Sequence, residues 1–250
     1  MACMSTNPTM PLLETADVET SSDGYAKRFE GPVGQWFLQI QERIALSMLR
    51  DVPPGATILD VGGGHGQLAV PLCREGFKVT VLGSDESCGR RIAPLAKEGK
   101  CRFKTGDVID LPFPDKSFDV AISFRLLPHC EQWPKLVAEL CRVAARAVIV
   151  DYPAIRGLNA MAPALFSAKK KIEGNTRQWR QFTDREVQTE FQKNGFEVGR
   201  REGQFFLPMA MHRAMKLKPV SAGLEACFRV IGLTHCFGSP VIACMKPRNG

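Results

Sequence analysis

Between residues 57 and 153, short apolar runs alternate with helix-like stretches, and this alternation limits the fold more than any other feature of the chain. The runs "TILDV" (57–61), "KVTVLG" (78–83), "CRFKTGD" (101–107), "FDVAISF" (118–124) and "AVIVDYP" (147–153) have strand length and composition. Between them, "GQLAVPLCREG" (66–76), "SCGRRIAPLAKEG" (87–99) and "PKLVAELCRVA" (134–144) carry helical spacing. Such alternation builds right-handed βαβ units around a parallel sheet, so the expected fold is a doubly wound α/β domain.

The flanks add to this frame. From residue 24, Trp36, Ile40, Ile44 and Met48 mark one helix face, and Gly31-Pro32 and Gly34 split off its start or bend it. Residues 1–23 have no basic start and no long apolar centre, so they read as a poorly ordered tail, not a secretion signal. After Pro153 a loop and a helix ending in a basic run are expected, then a helix over 183–196. Thr183 and Glu186 form a capping box for that helix and Gly195 stops it. "VSAGLEACFRVIGL" reads as a last helix and "PVIACMKP" as a last strand. The segment with Phe205, Phe206, Met209, Met211, Met215, Arg213, Lys216 and Lys218 has two readings: a greasy pocket with a basic rim, or a core strand followed by a solvated turn.

Composition excludes several classes. No apolar stretch approaches the length of a membrane span. The nine cysteines form no CxxC pair or zinc-like cluster, so no metal site is expected, and their odd number favours a reducing, cytoplasmic setting. Residues 151–250 carry 16 Lys+Arg against 8 Asp+Glu, a net +8 that would suit an acidic substrate, a nucleic acid, an anionic membrane surface or simply a solvated face.

"ILDVGGGHGQLAV" (58–70) places four glycines and His65 between a strand and a helix. Glycines there let the backbone approach a ligand, and a helix N-terminus offers unpaired N–H groups. The dinucleotide fingerprint fails, because Gln67 stands where its third glycine belongs, and no Gly-Lys-Ser/Thr follows for a phosphate loop.

"LDVGGGHG" resembles the first motif of the class I S-adenosylmethionine-dependent methyltransferases (type 11-like), an acidic residue followed by G-x-G-x-G. "GDVIDLPFPDKSFDVAISF" (106–124) and "RQFTDREVQTEFQKNGFEV" (180–198) are similar to later parts of that family. The resemblance implies a Rossmann-like, mostly parallel seven-stranded sheet with helices on both faces, N-terminal helices and a C-terminal substrate-side insertion. It implies one methyltransferase domain over 24–250, with a helical cover (24–52), a cofactor core (56–153) and a substrate side (154–250). S-adenosylmethionine would be the cofactor, its amino-acid end held by Asp60, Gly62, Gly63 and Gly64, and its adenine by Asp107 and Val108. Phe124 and Arg125 would line the wall after the fourth strand. The acidic ribose ligand usual at the end of the second strand is missing: Gly83 stands near that place, leaving Asp85, or Ser84 and backbone groups, to take the role.

Methyl transfer from a sulfonium needs alignment and water exclusion, with a base only where the acceptor must lose a proton. His129, just past the fourth strand, is the candidate base, with a structural or cofactor-contacting role as its alternative. His65 is expected beside the cofactor or solvent, and His212 or His235 near the substrate. The leading expectation is methylation of a small molecule, such as an aromatic or quinone-like metabolite. RNA methylation by the basic C-terminal part and non-catalytic cofactor binding are the alternatives. "SFRLLPH" lacks the Asn/Asp-Pro-Pro-Tyr/Phe motif of amino-directed nucleic-acid enzymes, and no RNA-binding module is recognisable. The oligomeric state is not legible.

Overall fold

The computed structural model describes residues 14–161 and 179–248. Seven strands, β1 Thr57–Val61, β2 Lys78–Gly83, β3 Cys101–Thr105, β4 Phe118–Ser123, β5 Ala144–Tyr152, β6 Phe196–Phe205 and β7 Ser239–Pro247, form one sheet in the order β3-β2-β1-β4-β5-β7-β6. The first five run parallel, while β7 lies antiparallel between β5 and β6, pairing Ile149 with Cys244 and Phe205 with Ser239. This is the expected Rossmann-like, mostly parallel seven-stranded sheet with helices on both faces. Strand order reverses between β1 and β4, which opens a crevice at their carboxyl ends.

Successive residues of a strand point to opposite faces, and both faces here are covered. Leu59, Val61, Ala121, Val148 and Val150 pack with Leu136 and Leu140 of the helix Trp133–Val143. Ile58, Val81, Val120, Ile122 and Ile149 pack on the other face with Ile44 and Ala45 of the helix Gly31–Met48 and Leu72 of Ala69–Arg74. A smaller aromatic cluster of Tyr25, Phe29, Trp36, Phe37 and Phe205 joins the N-terminal cover to β6.

The expected strands and the capping box at Thr183 are present. Gly31-Pro32 does split the N-terminal helices, into Asp23–Ala26 and Gly31–Met48. The helix expected over 87–99 contracts to a 3-10 turn and Ala93–Lys97, because Pro94 lacks an N–H and is tolerated only in a first helical turn. After β6 the chain forms a helix at Met209–Met215 rather than a turn. The expected N-terminal tail is ordered from residue 14 onward: Ala16–Thr20 is helical and its Ala16, Asp17 and Thr20 are buried. Residues 1–13, and most of the basic helix expected before Gln181, lie outside the described residues. Among the described residues, no helix is long and apolar enough to cross a membrane.

Candidate active site

The crevice is built around the turn after β1. Gly62 and Gly66 both have φ of 74°, a left-handed conformation that side-chain-bearing residues rarely adopt. A Cβ added to Gly63 would land on the Asp60 carboxylate, and one added to Gly64 would strike the Cys88 carbonyl and the Ser21 hydroxyl. The turn is thus packed from beneath and from both sides, and Gly62 N–H is tied to the Leu82 carbonyl of β2 at 2.8 Å.

Two buried carboxyls lie at these strand ends. Burial pushes Asp60 up to about 7, opposed by the positive charge of Arg125. Asp151, at the end of β5, accepts from Gln41 Nε2 at 2.8 Å and from the Arg125 N–H at 2.5 Å. Burial pushes it to about 6, with Arg125 again opposing. Arg125 itself has φ of 60°, held there by its bond to Asp151, and its guanidinium stands over Phe29 and Tyr25 at 5.2 and 5.8 Å. Its Nε and Nη1 are buried with no hydrogen-bond partner among the described residues.

The other expected positions divide. Asp107 receives the Ile109 N–H at 3.0 Å in an Asx turn, with Val108 fully buried beside it. Ser84 is buried, and both its N–H and its hydroxyl donate to Asp17, at 2.6 and 2.5 Å. Asp85 faces solvent and caps its own 3-10 turn through the Ser87 N–H, so it does not reach the crevice. Phe124 packs into the cluster with Ile44 and Leu68, on the far side of the sheet from Val108.

An aromatic cover closes the crevice. The His129 ring meets Tyr25 edge-on at 6.3 Å, and His65 meets Phe29 at 5.9 Å. Burial, aided by Arg125 and Arg91, lowers His65 to about 4, which favours the neutral imidazole. Arg28 stacks over Tyr25 at 4.8 Å and Arg213 over Phe37 at 5.4 Å. His212 is fully buried: its Nε2 meets Glu225 at 3.0 Å, and Glu225 also accepts the Phe206 and Leu207 N–H groups at 2.9 Å. That network fixes the end of β6. His235 lies in the helix Leu233–Phe237 and is exposed.

The basic C-terminal part is heavily paired. Arg156 and Arg201 meet Asp184, Arg200 and Arg229 meet Glu202, and Arg180 meets Glu186. Sequence reasoning missed Asp17, Tyr25, Gln41 and Asp151. Only Asp151 left a local signal, as a lone acid in the apolar run "VIVDYP".

A glycine turn over a buried carboxyl, at the switch point of a sheet of this order, is matched by sequence as well. Residues 59–149 fit a family model described as a methyltransferase domain. Norajmaline N-methyltransferase of Rauvolfia serpentina is 29% identical over 143 residues, covering 53% of this chain and 49% of that protein. A 2-phytyl-1,4-naphtoquinone methyltransferase of Synechococcus elongatus is 37% identical over 108 residues, covering 39% of this chain and 46% of that protein. The chain therefore spans about half the length of these curated relatives. A magnesium protoporphyrin IX methyltransferase from Synechocystis PCC 6803, solved with bound SAH, superposes with a TM-score of 0.64 at 16% identity, covering 93% of this chain and 98% of that one. The same protoporphyrin methyltransferase was also solved with bound SAM, and the expected glycine turn of this chain lies within the matched residues.

Proposed function

We propose that this chain transfers a methyl group from S-adenosylmethionine to a small, flat acceptor of aromatic or quinone-like character, by in-line displacement. The observation that carries the reading is the glycine turn packed on Asp60 at the switch point, inside the matched methyltransferase domain. Asp60 and the backbone of Gly62, Gly63 and Gly64 hold the amino-acid end of the cofactor, while Asp107 and the Val108 N–H take the adenine. Ser84 stands nearest the ribose. Asp85 and Phe124, one exposed and one turned to the opposite face, act at most through the backbone they support.

The bound sulfonium supplies an activated methyl group. Everything else is positioning, which is worth up to about 7–11 kcal/mol in well-oriented reactions. The aromatic cover of Tyr25, Phe29 and Phe37, with Arg125, Arg28 and Arg213 on their faces, suits a planar acceptor bearing an anionic oxygen. His129, beside Tyr25, receives the proton of a hydroxyl acceptor. Quinone-type acceptors are favoured by the naphtoquinone methyltransferase among the relatives. Residues 24–250 work as one unit in this reading, and eight free thiols among the described residues accord with a reducing, cytoplasmic setting.

The test is transfer of labelled methyl from S-adenosylmethionine to a panel of phenols, hydroxynaphthoquinones and total RNA. Label in the organic-extractable small molecules is expected. Label confined to RNA would overturn the acceptor class.

A further inference from the structure

The short helix Ala16–Thr20 lies inside the crevice that the proposed function gives to the cofactor. Asp17 is fully buried there. Its carboxylate takes the Ser84 N–H at 2.6 Å and the Ser84 hydroxyl at 2.5 Å, and the Cys88 thiol lies 3.4 Å from Oδ2. A Cβ placed on Gly83 would lie 3.4 Å from that same Oδ2, and one placed on Gly62 would lie 3.5 Å from the Asp17 Cβ. The Asp17 carboxylate therefore occupies the space a side chain at the end of β2 would reach, directly over the glycine turn. Its neighbours seal the remainder. Ala16 packs into the cluster that holds Val61, Leu82, Val108 and Leu127, Ser21 lies against Gly64, and Glu14 accepts the Glu131 N–H at 3.0 Å.

We propose that Asp17 is a latch: through Ser84 it holds the helix Ala16–Thr20 in the cofactor crevice, and cofactor binding requires its release. The inference rests on the cofactor reading of that crevice. Three observations support it. The latch satisfies the Ser84 N–H and hydroxyl at the β2 tip, groups that a ribose would otherwise meet. It lies against Gly62 and Ser84, and Ser21 just after it lies against Gly64, which are the groups the proposed function gives to the cofactor. Finally, a five-residue helix has little stability of its own, so once Asp17 lets go the segment leaves readily. Occupancy of the closed state lowers apparent affinity by the fraction of molecules that are open.

Two measurements on the full chain test this. Asp17→Ala should tighten S-adenosylhomocysteine binding by about fivefold in calorimetry, through a larger open fraction. Unchanged affinity would overturn the latch, and weaker binding would make Asp17 a cofactor ligand instead. In the wild-type chain, hydrogen exchange of the Val18 and Ser21 amides, bonded to Thr15 and Asp17 carbonyls in the closed state, should quicken when S-adenosylhomocysteine is added. Slower exchange would show that the helix belongs to the bound state and would overturn the proposal, even if Asp17→Ala fails to fold. Absence of binding by both proteins would instead remove the cofactor reading on which the latch rests.

Discussion

The strand tips of β1 to β4 and the cover that lies on them are built in opposite ways. At the tips the working parts belong to two adjacent parallel strands: Asp60 and the glycines close β1, Ser84 follows β2, and the register of the pair fixes them. In the cover, Tyr25, Phe29, Arg125, His129 and Arg213 come from separate segments and meet only through tertiary packing. The tips read as a cofactor cradle with little freedom, and the cover as the part that selects an acceptor. That contrast predicts that tip substitutions alter cofactor affinity, while cover substitutions alter turnover or acceptor KM.

The largest effect should come from His129→Gln, which should lower kcat roughly 100-fold, as expected for loss of a general base, and leave calorimetric cofactor affinity unchanged. A loss that appears in cofactor affinity instead would place His129 with the tips. Gly63→Ala forces a methyl onto the Asp60 carboxylate, so cofactor affinity should fall roughly 30-fold, with a lower melting temperature.

Asp60→Asn should weaken cofactor binding by about tenfold and also change its pH dependence. With Asp60 near 7 in the folded chain against an ordinary 3.8, the folded state binds the extra proton. Stability of the ligand-free protein should therefore fall as pH rises from about 4 through 7. Affinity for the cofactor's ammonium group should rise over the upper part of that window; Asp60→Asn should flatten that rise and the stability loss above pH 6, while Asp151, pushed to about 6, keeps part of the loss below it. Thermal melts and calorimetry at pH 6 to 8 read them directly. Arg125→Ala should raise the acceptor KM by about fivefold, by removing the cation stacked on Phe29 and Tyr25. Asp85→Ala should change cofactor affinity by less than about twofold, since an exposed carboxylate bonded only to its own turn has little to contribute.

The same contrast explains what was legible in the sequence. Strand β1 and its glycine turn could be read because apolar runs and glycine chemistry are local signals. Strand β6 was legible only at its two ends, through the resemblance of residues 180–198 and the apolar run at Phe205, because the exposed Arg200 and Arg201 between them break the apolar alternation. Asp17 was hidden for a different reason. In "ETADVET" nothing marks it for burial, and its partner Ser84 lies 67 residues away. Asp85 looked suitable by type and spacing, but its own Ser87 N–H lies closer than the crevice and captures it.

The most direct test of the central claim is a crystal structure of the chain with S-adenosylhomocysteine. The account predicts the ligand at the carboxyl ends of β1 to β3, its amino group on Asp60 and its adenine beside Asp107. A ligand bound outside the glycine turn, or one that leaves Asp60 and Asp107 untouched, would contradict it.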